Sequence, residues 1–440
     1  MSKNDRVIKK YCSYIILFGL VFLNCLDCFS QNFKKPNVKD TLRKNSFVFD
    51  INSDTNSFSF LNEILGNKKI VILAEAMHGD GTSQWIIAKM MKFLIDSLNF
   101  KVVALENGNL DVNYFQSRLL HSENVRQANI YLSSYFLNRK PGFDMLPFFQ
   151  TRIKEKKINF FGMDFQVRVD SAIDSLLNET CTFFSCNENL FDKSFTSLVR
   201  ELPNFDYRAY LDDSNTEMLI PKIDIIIDSL SNAKQGTVKQ RAKMIRQWMN
   251  MKYFINWLNR RFDFTNDEKD PKVITTYYAA RDSVMAENLV WMISNLYPNE
   301  KIIVSVSAYH ASRSGEKVDG FTECCKTRHV KTFGELLSQT KLKDDIYSIA
   351  FISSKGHTGV TIDDVTKLPL QKKNSLEYFF SNCKFSSAFF DLKSNKRKYG
   401  WLNEKFYMGP FFERYLKGNW PEVFDGIVYI NKMKPNIYFR

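Results

Sequence analysis

The sequence predicts an α/β fold, in which a largely parallel β-sheet is flanked by helices and carries a mostly helical insertion. Short runs rich in isoleucine and valine, such as residues 68–76, alternate with amphipathic segments, such as residues 83–100. Continuous apolar runs of this length are typical of parallel strands that are buried on both faces. Residues 167–270 contain no such run, and this indicates the helical insertion.

The predicted elements begin with a strand, a helix and a second strand. Residues 68–76 and 101–108 are the two strands, and residues 83–100 place apolar side chains at helical spacing between them. Together they make a βαβ unit of the usual size. The prediction continues with a third strand at residues 156–165 and a helix at residues 282–297. Three more strands follow at residues 300–310, 345–356 and 386–392.

The chain length allows one large domain with an insertion. It has 440 residues, of which 44% are hydrophobic and 25% charged, an ordinary globular composition. We predict a signal peptide at residues 1–30, a polar leader at residues 31–55 and an α/β domain at residues 56–440. We expect residues 167–270 to cap a site; the alternative is a helical subdomain that only extends the core.

The first thirty residues have the pattern of a secretory signal. Four basic residues among the first ten precede the apolar stretch YCSYIILFGLVFLNCL, and residues 29–31 offer a cleavage region. The stretch is short for a membrane-spanning helix. We therefore predict an exported protein, periplasmic or extracellular, with no further contact with the membrane. Two alternatives are an uncleaved anchor and a lipid anchor at Cys25 or Cys28.

Charge and cysteine content argue against two kinds of site. The net charge of +13 is spread along the chain and forms no basic helix or aromatic-interleaved motif, so we expect no nucleic-acid binding. Five cysteines follow residue 31 and none forms a CxxC pair, so a structural zinc site is not expected. Cys181 and Cys186 are close enough for a small disulfide loop, and the odd count leaves at least one thiol unpaired.

Acidic, imidazole and hydroxyl groups follow the predicted strands at the point where each strand ends. In chain order they are Glu75 and His78, Glu106, Asp164, and Ser307 with His310. In open α/β sheets, ligands bind outside the carboxyl ends of the strands. Each residue also has an ordinary structural explanation, as a carboxylate near a helix N-terminus, a turn residue or a packed histidine. Their convergence on one edge favours a functional site.

Such a cluster suits general acid–base catalysis. A histidine takes a proton from water, and a neighbouring carboxylate orients the ring and stabilises the imidazolium. The alternative is a divalent metal such as zinc, with Glu75, His78, Glu106 and His310 as ligands. The spacing of Glu75 and His78 differs from the helical HExxH motif, and the sequence contains no GxSxG elbow, GxGxxG turn or phosphate loop.

Several segments resemble the erythromycin esterase family. Residues 74–79, AEAMHG, are similar to the G-E-x-T-H-G motif that follows the first strand of that family. FFGMDF resembles its Y-G-x-D strand, and ARDSVMAENLVWMI resembles its R-D-x-x-M-A-x-N segment. The similar blocks are scattered over roughly residues 60–435, and together they are more specific than any one of them.

The resemblance implies hydrolysis of a small-molecule ester, which in the family's namesakes is the macrolactone of macrolide antibiotics. It implies a water molecule activated by the motif histidine, with no covalent serine and no cofactor. His78 would then be the general base, with Glu75 as its partner. Glu106 and Arg281 would be further residues of the site.

Two departures from the family pattern bear on activity. An H-N-x-H-like segment of the family reads Ser307-Ala-Tyr-His310 here, so one histidine is absent, and Met77 replaces the motif threonine. Loss of one transition-state donor typically costs about 10²–10³ in rate. We expect His310 and Arg281 to stabilise the developing oxyanion. The alternative that these departures leave open is a non-catalytic relative that binds its ligand without turnover.

Overall fold

The computed structural model describes residues 37–52, 55–123, 125, 140–185, 191–204, 213–260, 271–324, 330–361, 363–412 and 414–436. The predicted signal peptide lies outside these residues, as do Cys186 and His329. Within the described ranges, no helix has both the length and the apolar character needed to cross a bilayer. Export and disulfide pairing therefore stay predictions.

The strands form one large mixed sheet and two small antiparallel ones. In chain order they are β1 Ser46–Val48, β2 Ile70–Glu75, β3 Phe100–Gly108, β4 Asn159–Asp164, β5 Lys301–Ser307, β6 Val318–Asp319, β7 Ile346–Ser353, β8 His357–Thr358, β9 Thr366–Lys367, β10 Ser387–Asp391, β11 Phe406–Phe411, β12 Arg414–Gly418 and β13 Gly426–Ile430. The large sheet has eight strands in the order β1-β10-β13-β7-β2-β5-β3-β4. The six strands from β13 to β4 are parallel, and β1 and β10 are antiparallel to their neighbours.

Helices connect these strands and cover both faces of the large sheet. In chain order they are α1 Val38–Asn45, α2 Leu61–Leu65, α3 Gly81–Leu98, α4 Asn109–His121, α5 Lys140–Lys154, α6 Asp170–Phe184, α7 Lys193–Glu201, α8 Asp213–Asn232, α9 Val238–Arg260, α10 Pro271–Asn295, α11 Ala308–Ala311, α12 Phe321–Cys324, α13 Phe333–Ser338, α14 Leu376–Asn382, α15 Leu392–Lys396 and α16 Trp420–Val423. The α/β prediction, with its largely parallel sheet and helical region, is confirmed.

Alternating residues of the central strands enter two different cores. Ile72 and Ala74 of β2 pack on the side of α10, whereas Val71 and Leu73 pack on the side of α3. Both sets are fully buried, which is why the sequence of β2 reads as an unbroken apolar run. Burying one such side chain contributes about 1.5–3 kcal/mol, so the two cores together hold the sheet between its helices.

A third core lies within the helical region that follows β4. Trp248 of α9 is fully buried, and its indole N–H donates to Thr180 Oγ1 of α6 at 3.1 Å. Phe195 of α7 and Ile223 of α8 pack into the same cluster. Phe165, directly after β4, is 5.7 Å from Trp257 between ring centroids. The helical region is therefore joined to the carboxyl end of the sheet.

Several elements differ from the prediction in detail. The strand predicted at 300–310 ends at Ser307, and His310 lies on the one-turn helix α11. The helix predicted from residue 282 begins at Pro271. Residues 37–48, within the predicted polar leader, form α1 and the edge strand β1. β10 is antiparallel to β13, because the chain leaves β10 at Asp391 and enters β13 at Gly426, which lies opposite Asp391.

Candidate active site

Glu75 and His78 form a hydrogen-bonded pair at the carboxyl end of β2. Glu75 is the last residue of the strand, and His78 lies in the turn that leads to α3. The distance from Glu75 Oε1 to His78 Nδ1 is 2.6 Å. The carboxylate is nearly buried, whereas the imidazole side chain is 38% exposed. Because Nδ1 donates to the carboxylate, the neutral ring carries its lone pair on Nε2.

The turn that carries His78 is held by segments distant in sequence. The carbonyl of Gly79 accepts hydrogen bonds from the backbone N–H groups of Asn436, at 2.8 Å, and Gly359, at 3.2 Å. A Cβ atom at position 79 would lie 2.5 Å from the nitrogen of Gly359, so glycine is required for this close approach. The side-chain amide of Asn436 also donates to the His78 carbonyl at 3.4 Å. The backbone beside the imidazole is therefore fixed from two sides.

The environment of the pair raises both pKa values. Burial raises the pKa of Glu75, and the hydrogen bond and charge of His78 offset this only in part. Burial alone would lower the pKa of His78, but its hydrogen bond with Glu75 and the charges of Glu75 and Glu106 outweigh burial and raise it. The imidazole of His78 is therefore more basic than that of a free histidine.

Arg281 joins the ends of two strands. This residue lies on α10, and its Nε donates to Asp164 Oδ2 at 2.6 Å, at the end of β4. Its Nη2 donates to Glu106 Oε1, on β3, at 3.0 Å. Its Nη1 lies 3.3 Å from His310 Nε2. Such a planar fork satisfies two carboxylates at once, which an ammonium group does less well.

His310 belongs to a second histidine–carboxylate pair. Its Nδ1 lies 2.6 Å from Asp282 Oδ1, and its Nε2 lies 3.4 Å from Glu106 Oε1. Asp282 Oδ1 also accepts the backbone N–H of Phe333 at 3.1 Å. The side chain of His310 is only 4% exposed, so this ring, unlike that of His78, is enclosed by the protein.

Glu106 is the negative centre of the cluster. Burial would raise its pKa, but the positive charges around it, chiefly those of His310 and Arg281, lower it to about 2. Its Oε2 accepts the backbone N–H of Ser307 at 2.8 Å. Burial would lower the pKa of His310, yet the charges of Asp282 and Glu106 raise it. Glu106 is therefore ionised, and its negative charge favours the protonated, cationic form of His310.

Strand register explains why these groups meet. β2 and β5 pair in parallel with Glu75 opposite Ser307, and β5 pairs with β3 so that Ser305 lies opposite Leu105, directly before Glu106. The structure therefore brings all the predicted site residues to one edge of the sheet. They are Glu75, His78, Glu106, Asp164, Arg281, Ser307 and His310.

Asp282 is a site residue that the sequence analysis did not name. It is completely buried, and it lies on the apolar face of α10 with Met285, Ala286 and Leu289 at helical spacing. A charge on an apolar helix face needs a buried partner. That pattern is the signal by which Asp282 could have been found.

Two further histidines of the described residues are His121 and His357. The Nδ1 atom of His121 contacts the Ser117 carbonyl of its own helix at 2.8 Å. His357 lies exposed on β8. Over the residues that the structure describes, no three His, Cys, Asp or Glu side chains are grouped as metal ligands would be. The histidines of the cluster each direct Nδ1 to a carboxylate, an arrangement suited to proton transfer.

The sequence model described as Erythromycin esterase matches residues 149–433, so the chain belongs to the erythromycin esterase family. Two curated relatives are similar to this chain over most of its length. The putative hydrolase YbfO of Bacillus subtilis (strain 168) is 23% identical over 425 residues, covering 88% of this chain and 89% of the relative. Erythromycin esterase type II of Escherichia coli is 22% identical over 403 residues, covering 85% and 92%.

Solved structures share the fold. A Bacillus cereus protein has a TM-score of 0.74 at 20% identity, covering 92% of this chain and 99% of that one. A mutant of the erythromycin esterase EreC, in its open conformation, has a TM-score of 0.64 at 15% identity, covering 89% and 98%. The resemblance drawn from the sequence is confirmed, and family membership together with the hydrolase-named relatives supports a hydrolase.

Proposed function

We propose that this protein hydrolyses a carboxylic ester, with a water molecule activated by His78. The observation that carries the proposal is the 2.6 Å pair of Glu75 and His78, whose imidazole is 38% exposed at the carboxyl end of β2. A basic ring at this position can take a proton from water. The family match and the name of the Escherichia coli relative support an ester as substrate, and a macrolactone is one candidate.

The proposed reaction has two steps in which His78 moves one proton. The imidazole removes a proton from water as the oxygen adds to the ester carbonyl, which forms a tetrahedral oxyanion. The oxyanion then collapses, the C–O bond to the alcohol breaks, and the imidazolium protonates the departing alkoxide. Glu75 orients the ring and stabilises the imidazolium between these steps. No covalent intermediate with the protein forms.

Arg281 and His310 supply positive charge for the oxyanion in this proposal. Arg281 is fixed by hydrogen bonds to Asp164 and Glu106, and His310 is fixed by Asp282. Positive groups held in place beforehand stabilise developing charge without reorganising during the reaction. The helical region that packs behind Phe165 would exclude water from the same edge and so strengthen these interactions.

A non-catalytic ligand-binding relative is the second candidate. Ser307 and Ala308 replace part of a histidine-bearing segment of the family, and the Ser307 backbone N–H is engaged by Glu106. A protein of this kind would bind an ester without turnover. A metal-dependent hydrolase that uses Glu75, His78, Glu106 and His310 is a further alternative, and a chelator distinguishes it from metal-free catalysis.

The test is turnover of a panel of macrolides and simple aryl esters by the purified protein, with and without EDTA. We expect hydrolysis that EDTA leaves unchanged and that His78→Ala lowers by about 10²–10⁴-fold. His121→Ala is the matched control, because His121 bonds to its own helix away from the cluster. Loss of turnover in EDTA would favour the metal-dependent hydrolase. Ester binding without turnover would favour the non-catalytic relative.

We also propose that the protein is exported, on the basis of residues 1–30. Basic residues followed by an apolar stretch are the usual form of a secretory signal. Fractionation of cells that express the full chain tests this, with a chain that lacks residues 1–30 as the control. Export predicts a periplasmic or extracellular product shortened by about thirty residues. Cytoplasmic retention at full length would contradict it.

A further inference from the structure

Phe412 combines an unusual backbone conformation with an exposed ring. It lies in the turn between β11 and β12, and its φ of +50° falls in the left-handed region. Bulky residues rarely adopt this conformation, because it costs free energy that glycine avoids. The side chain is nevertheless 44% exposed, so burial of the ring does not account for phenylalanine at this position. The tight turn after Phe411, which pairs with Arg414, favours a positive φ that glycine or asparagine usually supplies, so the turn explains the φ but not the phenylalanine.

The turn places Phe412 beside both histidine-bearing segments. The Phe412 backbone N–H donates to the carbonyl of Ala76 at 3.3 Å, two residues before His78. The Phe412 ring lies 6.5 Å from the ring of Tyr309. Tyr309 in turn lies 5.1 Å from the ring of His310. The exposed ring is therefore at the rim of the cluster described above.

A row of buried aromatic rings supports Phe412 from behind. Tyr309 stacks on Phe321 at 5.6 Å, and Phe321 meets the edge of Phe411 at 5.2 Å. Tyr309, Phe321 and Phe411 are all buried, so Phe412 is the member of this row that reaches solvent. Aromatic rings bind a further flat apolar group by stacking or by edge-to-face contact. Because the three buried rings are already packed in the protein, ordering them adds little to the entropic cost of such binding.

We propose that Phe412 forms an apolar subsite for an aromatic group of the substrate, next to the ester carbonyl that is attacked by the water molecule activated by His78. This inference rests on the proposed esterase function, and it specifies the substrate class as an ester with a phenyl-like ring on its acid or alcohol side. The ring of the substrate contacts Phe412 at the rim, and the carbonyl points inwards to the histidines. The contact contributes to substrate binding and not to the proton transfers.

The test compares kcat/KM for phenyl acetate, methyl benzoate and methyl acetate in the intact protein and its variants. Phe412→Gly removes the ring and relaxes the φ of +50°, whereas Phe412→Tyr keeps the ring. We expect Phe412→Gly to lose about 3- to 10-fold more on at least one ring-bearing ester than on methyl acetate, through KM. Phe412→Tyr should retain the ratio of kcat/KM between ring-bearing esters and methyl acetate that the unsubstituted protein shows.

The matched control for this test is an exposed phenylalanine far from the cluster. Phe47 is 40% exposed on β1, at the edge of the sheet away from β3 and β4, so Phe47→Ala should leave all three rates unchanged. An equal loss on the three esters in Phe412→Gly would overturn the subsite. The subsite would also be overturned if Phe412→Tyr lost the preference for ring-bearing esters to the same extent as Phe412→Gly.

Failure of the esterase proposal is recognised separately. If the intact protein hydrolyses none of the three esters, the proposed function fails on these substrates. The subsite is then judged by saturation-transfer NMR with acetanilide, the amide analogue of phenyl acetate. Ring contacts that weaken several-fold in Phe412→Gly would support the subsite, and contacts that are absent or unchanged would overturn it.

Discussion

The Glu75→Gln variant tests how the carboxylate sets the basicity of His78. Glutamine keeps an oxygen that can accept the Nδ1 proton at the 2.6 Å position, but it removes the negative charge. A hydrogen bond to a charged group contributes roughly 1.5–3 kcal/mol, against roughly 0.5–1.5 kcal/mol for a neutral bond. The difference of about 1–1.5 kcal/mol corresponds to about one pKa unit.

The sign of the effect follows from the direction of the shift. The pKa of His78 is raised in the folded protein, and the general base must be neutral, so activity increases as the pH passes above this raised pKa. In Glu75→Gln the pKa of His78 falls, so the acidic limb of the kcat/KM profile moves down by about one pH unit. At pH values above the acidic limbs of both proteins, Glu75→Gln is about tenfold slower than the unsubstituted protein, because the imidazolium in the transition state loses its counter-charge.

The assay is ester hydrolysis followed from pH 5 to 9. Glu63→Gln, on the exposed side of α2, is the control and should reproduce the profile of the intact protein. An acidic limb that stays in place or moves upwards in Glu75→Gln would refute the assignment of that limb to His78. An unchanged rate of Glu75→Gln at pH values above the acidic limb would refute the role of Glu75 in stabilising the imidazolium.

Three further predictions concern other charged side chains with little exposure to solvent. Asp282→Asn removes the counter-charge of His310 and should lower kcat about tenfold with little change in KM, measured by steady-state kinetics. Arg281→Met removes the positive charge between Asp164 and Glu106 and should destabilise the fold by about 3–5 kcal/mol in urea unfolding; a change under 1 kcal/mol would contradict this role of the ion pairs. Glu377, buried against the Gly409 N–H, has its pKa raised by burial to about 7. As the pH rises, the folded state therefore keeps this proton to a higher pH than the unfolded state, and stability falls between about pH 4.5 and about pH 7. Glu377→Gln should be about 3 kcal/mol more stable than the unsubstituted protein at pH 8. No gain in stability at that pH would contradict the raised pKa of Glu377.

The central strands could be predicted because their burial is written into the local sequence. β2 is buried on both faces, so Ile70–Glu75 reads as one apolar run. The edge strand β1 could not be predicted in this way. It has only three residues, and Phe47 and Val48 are partly exposed. Its pairing with β10 joins residues more than 300 positions apart, and no local pattern encodes that contact.

Part of the site could be predicted from strand ends alone. Glu75, Glu106 and Asp164 each lie at or near the end of a parallel strand, and the fold brings such ends to one edge. Arg281 was placed in the site only by resemblance, because it lies on the long helix α10. The partnership of Asp282 with His310 depends on how that helix packs against α11, so sequence spacing does not reveal it.

Phe412 shows the same limit more strongly. Its position near the histidines involves a backbone hydrogen bond to Ala76, more than 300 residues away in sequence, and a ring contact with Tyr309. A turn residue between two short strands carries no sequence signal for that contact. The strained φ and the exposure of the ring are visible only in the folded chain.

Chemical rescue of His78→Ala is the most direct test of water activation by this residue. The ring is 38% exposed, so free imidazole can reach the space that the substitution opens. If His78 activates the water molecule, His78→Ala loses ester hydrolysis by at least about 10²-fold, and added imidazole restores part of it in proportion to the neutral form of the additive. Full activity of His78→Ala without imidazole would contradict this role of His78.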